Sequence, residues 1–465
     1  MGLLWFMLLI GITGLAVDAT NGFRNRTMLQ ATADAAVLAA VIDLPNEAAA
    51  VTSAITNSTS NMPNAMYGDV LQLGDIEIGA WRMPGRRFEE GGLVVNILDP
   101  DGPLIPDAVR VTLHQTVANA NAVPVNFLRI IGLRTWDVNV LAVAQRFLPE
   151  CLNNGLVAAG MVDMSSNNRF SKRICIHGQR GVMESISNIH DIGVTVSTPS
   201  MYDDTIGIIV PAGKIEADEG LREAMREVSL VPRMVNRVDD IMLAMLDMES
   251  YVRPDYIGTT STSGITLPRV ETRQKGWDFA DATAGNVYHI ECEPMQTVRI
   301  PGGTILTGVV IISDCNIVVG PGVEMSDVVL ASLSTGNPGG NDGDHGNPGG
   351  NGQGGNTSGQ GGAGVEHANI VFSGKVVLGF ADDCRDGGGV QIFSNASVQI
   401  SSQAEINGLQ IIAAGDVDLG TQGMGIKGIN VQAGGNITLN SLNHFGICSG
   451  GVPNLQTVAY YRLTH

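Results

Sequence analysis

The densest group of side chains that could do chemistry lies at residues 382–386, which read Asp-Asp-Cys-Arg-Asp. Two carboxylates catalyse glycoside hydrolysis when they face a sugar across a cleft, and such clefts usually carry aromatic side chains that stack on sugar rings. The surrounding region, residues 286–465, contains phenylalanines but no tryptophan. We therefore interpret this group as a charged turn beside a disulfide rather than as a catalytic pair.

Two further patterns resemble ligand-binding motifs without their full geometry. Residues 339–344 (GGNDGD) resemble a calcium-binding glycine repeat, but Asp342 and Asp344 lack the offsets that bring several oxygen ligands together. Residues 423–428 (GMGIKG) match G-x-G-x-x-G, but they lead into a strand, whereas the dinucleotide motif follows a strand and opens a helix. We interpret the first as a solvated loop and the second as a turn of a repeat.

The remaining candidates for chemistry are weaker. Asp163, Ser165 and Ser166 resemble the beginning of a metal-ion-dependent adhesion motif (D-x-S-x-S), but residue 167 is Asn, and no alternation of strands and helices surrounds it. The histidines are scattered without the spacing of a zinc site, and no Ser-His-Asp or Cys-His order stands out. The sequence therefore predicts no catalytic residue, no cofactor and no metal.

Six cysteines fall into three couples along the chain, and none belongs to a C-x-x-C motif. An even number without metal-type spacing indicates disulfides, which persist in an oxidising compartment such as the periplasm or the cell exterior. Sequence order does not determine connectivity, so the pairing stays open here. The candidate couples are Cys151 with Cys175, Cys292 with Cys315, and Cys384 with Cys448.

Composition limits the classes of protein. The chain has 465 residues, which predicts two or three domains, and its 46 acidic against 27 basic residues give a formal charge of −19. This charge argues against nucleic acid or an anionic membrane surface as a partner, because phosphate binding requires a basic surface. The 59 glycines and few aromatic residues indicate a β-rich chain with many tight turns.

Residues 1–44 predict one long transmembrane or amphipathic helix, with an uncharged run at residues 2–17. A face of small residues follows the run, and Pro45 ends the helix. The run is short for a bilayer crossing, which needs about 17–25 residues. Its start is not basic and no clean cleavage site follows it, so a retained anchor is favoured over a cleaved signal. The small-residue face consists of Leu29, Ala33, Ala36 and Ala40.

Residues 45–149 predict a small α+β module of pilin-like layout. Alternating apolar residues indicate strands at residues 75–81, 107–113 and 136–145. A short helix is expected at residues 124–132, with a proline near its start and a glycine at its end.

The N-terminal motifs resemble those of the TadE/TadG-like proteins of tight-adherence (Flp) pilus assembly systems. The resemblance implies that the long helix packs among other pilus subunits and that inner-membrane assembly proteins are partners. It covers residues 1–147 and rests on Val17, Asp18, Arg26, Leu29, Gln30, residues 33–40 (ADAAVLAA), 79–81 (GAW) and 109–112 (VRVT), Val123, Pro124, Phe127 and residues 142–144 (AVA).

Residues 150–200 predict a short β-solenoid-like segment, and residues 286–465 predict a parallel β-helix. A period near 20 with two short β-runs allows each coil to cover the apolar face of the preceding one. One run recurs at residues 408 and 428. The other recurs at intervals of 22, 19 and 20 residues, centred on Val376, Val398, Val417 and Ile437.

Two segments interrupt the predicted β-helix. Residues 201–285 predict a helical insertion, and we favour packing of its methionine-rich stripes inside the chain over a groove for a partner. Residues 336–364 are about half glycine and are expected to project as an insertion without a core. The helical stripes are Leu221, Met225 and Val228, and then Val238, Ile241, Met242 and Met245.

These observations predict a non-enzymatic pilus-assembly component that crosses the bacterial inner membrane once, with the bulk of the chain periplasmic or extracellular. Arg24 and Arg26 oppose this orientation, because positive residues favour the cytoplasmic side. The cysteines and the resemblance favour the outside. The alternative is a cell-surface β-helix enzyme or glycan-binding protein acting on polysaccharide, in which Asp382 and Asp386 would be the residues to test.

Overall fold

The computed structural model divides the chain into unit 1, Met1–Leu148 with Val458–His465, and unit 2, Pro149–Thr457. For residues 2–11, 131 and 150 the description is limited to the backbone. The structure describes residues 2–82, 85–95, 103–164, 167–201, 207–249, 252–258, 270–293, 296–335, 368–381, 387–400, 403–420, 425–440, 442–448 and 459–464.

Unit 1 begins with the long helix that the sequence predicts. Helix α1 ends at Ile42, just before Pro45, and α2 follows Asn46, whose side-chain oxygen accepts a hydrogen bond from the backbone N–H of Ala49 (3.1 Å). Among the described residues, no helix combines the length and the mean hydropathy needed to cross a membrane. The helices are α1 (Gly2–Ile42), α2 (Glu47–Asn61) and α3 (Asn64–Tyr67).

The strands of unit 1 form an antiparallel sheet and a separate two-stranded hairpin. The hairpin replaces the helix expected at residues 124–132: Pro124 lies in a strand, and only Leu128–Ile131 form a 3-10 helix. In chain order the strands are β1 (Ile76–Arg82), β2 (Arg87–Glu90), β3 (Ala108–Gln115), β4 (Val123–Pro124), β5 (Thr135–Trp136) and β6 (Val138–Phe147). The hairpin is β4 with β5, and the sheet runs β2-β1-β3-β6.

The core of unit 1 lies between α1 and the sheet. Small side chains along one stripe of α1 allow the helix to lie close to β3 and β6, and the alternating apolar residues of these strands face it. The buried residues of this core include Leu29, Ala33, Ala36, Val37, Ala40 and Val41 from α1, and Val109, Val111, Leu113, Val140, Ala142 and Ala144 from the strands.

The strands of unit 2 pair in parallel. In chain order they are β7 (Gly155–Ala158), β8 (Met161–Met164), β9 (Arg169–Phe170), β10 (Cys175–Gly178), β11 (Gly181–Glu184), β12 (Ile189–His190), β13 (Thr195–Thr198), β14 (Ile208–Ile209), β15 (Met225–Glu227), β16 (Val270–Gln274), β17 (Val287–Glu291), β18 (Thr297–Ile300), β19 (Ile305–Ser313), β20 (Asn316–Val319), β21 (Glu324–Ser332), β22 (Ala368–Phe372), β23 (Val376–Leu378), β24 (Val390–Ser394), β25 (Ser397–Ile400), β26 (Ala404–Ala413), β27 (Val417–Leu419), β28 (Gly425–Ala433), β29 (Ile437–Leu439) and β30 (His444–Gly446).

These strands build two parallel sheets whose apolar residues share one core. The larger sheet has the order β15-β13-β10-β7-β28-β26-β23-β21-β19-β17-β16, with β9, β12, β24 and β30 beside this path. The smaller sheet has the order β14-β11-β8-β29-β27-β25-β22-β20-β18. Each pass of the chain through both sheets is called a coil below.

The order of the coils differs from the order of the sequence. Strand β7 pairs with β28, so that Gly155 lies opposite Asn430, and β8 pairs with β29. The segments 150–200 and 286–465, which the sequence treats separately, therefore share both sheets. Equal coil length permits this arrangement, since Gly155 also lies opposite Cys175 on its other side, one coil later.

One member of the predicted repeat lies in the other sheet. Val398, Val417 and Ile437 stack in register in the smaller sheet, as the repeat predicts. Val376 instead pairs with Ala404 in the larger sheet, and Ile370 takes the position next to Val398. The interpretation of Val376 was wrong, because both runs of a coil have the same short apolar pattern.

The segment between residues 201 and 285 contains short helices and strands. The first helical stripe ends early: α5 stops at Ala224, and Met225 continues as β15, which pairs with Val196 of β13. The second stripe lies on α6, and Val238, Ile241, Met242 and Met245 are buried. The helices are α4 (Lys214–Ala217), α5 (Glu219–Ala224) and α6 (Val238–Leu246), which contacts β24.

The last strand of the chain returns to unit 1. Strand β31 (Tyr460–Leu463) pairs antiparallel with β6, with Tyr460 opposite Phe147. The sequence placed these residues in the β-helix. Unit 2 is thus inserted in the chain between two neighbouring strands of the unit 1 sheet.

Candidate functional site

Most residues for which the sequence suggested chemistry lie outside the described residues. Asp163 is described and lies in β8, opposite Met183 of β11. Within the described ranges, no group of three or more His, Cys, Asp or Glu residues is arranged to hold a metal ion. The undescribed candidates are Asp342, Asp344, residues 382–386, Gly423, Ser165 and Ser166.

Two disulfides link successive coils of unit 2. Cys151 is bonded to Cys175, and Cys292 is bonded to Cys315. Cys384 lies outside the described residues, so the third couple stays a prediction, and Cys448 is buried.

A charged cluster that the sequence did not reveal surrounds His190 in unit 2. Its Nδ1 lies 2.9 Å from Asp218 Oδ2, and its Nε2 lies 3.2 Å from Glu184 Oε1. Lys214 Nζ also lies 2.9 Å from Asp218 Oδ2. The His190 ring stacks on Phe170, with centroids 5.1 Å apart. Two acids and two bases therefore neutralise each other in the interior.

The pKa values reflect this mutual stabilisation. Burial alone lowers the pKa of His190, but the Glu184 and Asp218 carboxylates outweigh it, so the pKa is raised above its usual 6.5. Burial raises the pKa of Asp218, but hydrogen bonds from His190, from the Leu221 backbone and from Lys214 lower it to about 2. The folded unit thus favours the charged form of both partners.

This cluster joins helix α5 to the coil that contains β12 and β13. The side chains of His190 and Glu184 are fully buried, and Asp218 also caps α5 through the backbone N–H of Leu221 (2.9 Å). Helix α5 contacts β12 and β13. Repeat stacks require such capping of their terminal coil.

A buried histidine and serine also lie together in unit 2. His177 Nδ1 lies 2.9 Å from Ser197 Oγ, and its Nε2 lies 3.1 Å from Gln179 Oε1. The two residues are one coil apart, a relationship that only the stacking reveals. His177 is 0% and Ser197 1% exposed, and burial lowers the pKa of His177. Both side chains are therefore shielded from solvent, and their hydrogen bond joins two successive coils.

In unit 1, Asp18 joins α1 to the β4–β5 hairpin. Its carboxylate accepts hydrogen bonds from the backbone N–H groups of Asn126 (2.8 Å), Phe127 (2.8 Å) and Leu128 (2.7 Å). Burial alone raises the pKa of Asp18, but these three bonds outweigh it and lower the pKa. The side chain is 1% exposed. Asp18 and Phe127, both quoted for the family resemblance, are thereby brought together.

Two glycines of α1 allow the hairpin to lie against the helix. A Cβ atom on Gly14 would lie 2.6 Å from Phe127 Cβ, and one on Gly22 would lie 2.3 Å from Trp136 Cζ3. The side-chain amide of Asn21 donates to the backbone oxygen of Pro124 (3.2 Å).

The small-residue face of α1 is buried inside unit 1. Leu29, Ala33, Ala36 and Ala40 each have 0% exposure and share a core with β3 and β6. Other subunits would therefore have to contact different residues of α1.

Comparisons with known proteins match different parts of the chain. A model of Flp pilus-assembly TadE/G-like proteins matches residues 1–50, and a model of Tad-like Flp pilus assembly matches residues 29–144. A domain of unknown function, DUF7867, matches residues 155–341 and 363–449. No curated protein and no solved structure matches the chain significantly.

The matches confirm the resemblance found in the N-terminal motifs. They support involvement in the Flp pilus system, suggest a cell-envelope protein that interacts with other pilus components, and indicate no enzyme family. The DUF7867 match covers more than half of the 465 residues. The chain is therefore a Tad-like protein that belongs to the DUF7867 family.

Proposed function

We propose that this protein is a non-enzymatic, membrane-anchored component of a tight-adherence (Flp) pilus system. In this proposal, residues 2–17 anchor it once in the inner membrane. Unit 2 lies on the periplasmic or outer side and acts in pilus biogenesis, anchoring or adhesion. The observation that carries the proposal is the insertion of unit 2 between β6 and β31 of a Tad-type unit. Because β6 and β31 pair with each other, unit 1 keeps α1 and its sheet intact and can hold unit 2 at the membrane.

The proposal treats unit 2 as a parallel β-helix. Its support is the register of the strands: Val398, Val417 and Ile437 lie opposite one another in consecutive coils, with buried apolar side chains. Stacked coils of this kind form an extended surface suited to contact with other molecules. The Cys151–Cys175 and Cys292–Cys315 disulfides favour an oxidising compartment for this unit.

Fractionation combined with protease protection tests the anchor and the orientation. The protein should stay with the inner membrane after alkaline extraction, and in cells with a permeabilised outer membrane added protease should remove unit 2. Recovery in the soluble fraction, or protection of unit 2 by the inner membrane, would contradict the proposal.

Deletion of residues 149–457 tests the role in the pilus. In cells that assemble this pilus, the shortened chain should stay at the membrane through unit 1 and lose the pilus-dependent adhesion. A polysaccharide-cleavage assay tests the enzymatic alternative, which would gain support if activity were present and were lost in an Asp382→Ala/Asp386→Ala variant.

A further inference from the structure

In the turn between β4 and β5, residues 127–134 are called the hairpin tip here. The chain after β4 runs along α1 toward the N-terminus of the helix, since Pro124 contacts Asn21 and Phe127 packs on Gly14. Its return strand then places Trp136 against Gly22. The helix rises about 12 Å over the eight residues from Gly22 to Gly14. The hairpin tip therefore points along α1 toward its N-terminus, beside the apolar run.

The hairpin tip exposes apolar side chains. Ile130 is 83% exposed, Phe127 42% and Leu133 41%. Single exposed apolar residues are common on soluble proteins, whereas a concentration of them in one short turn indicates a contact surface.

Arginines surround this apolar turn. The whole-chain charge of −19 argued against an anionic surface as a partner, but the exposed charged residues on and beside the hairpin tip are mainly arginines, and the Asp18 carboxylate at its base is buried against the backbone of residues 126–128. Elsewhere in unit 1, Arg82 and Arg110 form ion pairs with Glu89 and Glu77. By contrast, four exposed arginines of the helix and the turn form no ion pair with a described residue: Arg24, Arg26, Arg129 and Arg134.

We propose that the hairpin tip docks on the lipid–water interface of the membrane that holds α1. Ile130, with Phe127 and Leu133, enters the headgroup region, and Arg129 and Arg134 bind anionic phospholipid headgroups. This inference rests on the proposed membrane anchor, because that anchor places the apolar run, and thus its neighbouring turn, at the bilayer. Apolar residues beside basic ones are the composition that interfacial binding requires.

Site-directed labelling of the full chain in vesicles tests the docking. An Ile130→Cys variant carries a fluorophore, and quenching by brominated lipid measures its depth. A Leu73→Cys variant is the matched control, because Leu73 is 69% exposed in the same unit and lies outside the hairpin. In vesicles with phosphatidylglycerol, the label at 130 should be quenched and the label at 73 should not.

An Arg129→Gln/Arg134→Gln variant tests the role of charge. Each arginine near an anionic surface is expected to favour the docked state roughly fivefold, so the double change should lower the ratio of docked to undocked protein roughly 25-fold. The same shift should follow from replacing phosphatidylglycerol by phosphatidylcholine. Arg86→Gln/Arg87→Gln, which changes the exposed arginine before β2 and the exposed first residue of β2, should leave the quenching unchanged.

Flotation of the vesicles separates the two levels of the proposal. Protein that does not float contradicts the membrane anchor itself. Protein that floats with an unquenched label at 130 overturns the docking alone. Cross-linking of the label at 130 to a second copy, without quenching, would assign the hairpin tip to a subunit contact and also overturn it.

Discussion

The side-chain amide of Asn443 donates a hydrogen bond of 2.9 Å to the side-chain oxygen of Asn168, 275 residues away in the sequence. Asn168 in turn donates to Asn188 Oδ1 (3.2 Å), one coil further along. All three residues are buried. Since Asn443 comes from the last coil and Asn168 from the first, this ladder joins the two ends of the unit 2 sequence.

Replacing Asn168 by Ala should destabilise unit 2. The change removes the buried side-chain hydrogen bonds that join residue 168 to Asn188 and Asn443, at a cost of about 0.5–1.5 kcal/mol for each bond, while Asn188 Oδ1 keeps its bond from the backbone N–H of residue 168. Denaturant unfolding followed by circular dichroism measures the difference. The control is Asn167→Ala, which changes an exposed neighbour and should have little effect. Equal stability of the two variants would contradict the ladder.

The cluster around His190 should make the stability of unit 2 depend on pH. The pKa of His190 in the folded protein is raised above 6.5. Its contribution to the free energy of unfolding is therefore complete below pH 6.5 and is lost as the pH rises through the folded pKa. Asp218 contributes fully above its unfolded value of 3.8 and loses this as the pH falls toward about 2.

A His190→Gln variant should therefore lose most stability, about 3–5 kcal/mol, between these two limits, at pH 4–6.5. The difference from the unchanged protein should shrink as the pH rises through the raised folded pKa of His190. Free energies of unfolding across this range test the prediction. His444→Gln changes an exposed histidine of β30 and serves as the control. A difference independent of pH would show that only packing is lost.

Substitutions of two neighbouring residues of α6 test whether its methionine-rich stripe packs inside the chain or forms a groove for a partner. Met242 is fully buried and Leu243 is 51% exposed. Met242→Ala should cost about 2–5 kcal/mol in the free energy of unfolding, because a cavity remains, and Leu243→Ala should cost much less. A stable Met242→Ala protein would indicate that the stripe is available to a partner.

Mapping of the disulfides should find three bonds in protein isolated from its native compartment. The two described pairs are Cys151 with Cys175 and Cys292 with Cys315, and we predict Cys384 with Cys448 as the third. Mass spectrometry of peptides cut without reduction identifies the linked pairs. Cys384 recovered as a free thiol, or linked to another cysteine, would refute the third pair.

Several features of the fold were predictable because they depend on local pattern. Helix α1 follows from a long stretch without proline and from the spacing of its small residues, and Pro45 marks its end. The alternation of apolar residues indicates β3 and β6, and the 20-residue interval between Val417 and Ile437 indicates coils that pair in parallel. The N-terminal family motifs were equally readable in the sequence.

Other features depend on contacts between distant residues. The stacking of Asn443 near Asn168, the return of Tyr460 to the unit 1 sheet, and the approach of Asp218 to His190 leave no local pattern that sequence analysis detects. Coils of equal length fit beside one another in any order, so periodicity cannot assign neighbours. For that reason Val376 was placed in the wrong sheet.

The amino-acid sequence by itself determined the long N-terminal helix, the repeating short strands and the relation to pilus-assembly proteins, because each rests on residue types at fixed short spacing. Only the tertiary structure decided that β31, which follows unit 2 in the sequence, pairs with β6, which precedes it. It also decided that the first and last coils of unit 2 are neighbours and that the hairpin tip lies beside the apolar run. These relationships arise from hydrogen bonds and packing across hundreds of residues, where free energy depends on position in space rather than on distance along the chain.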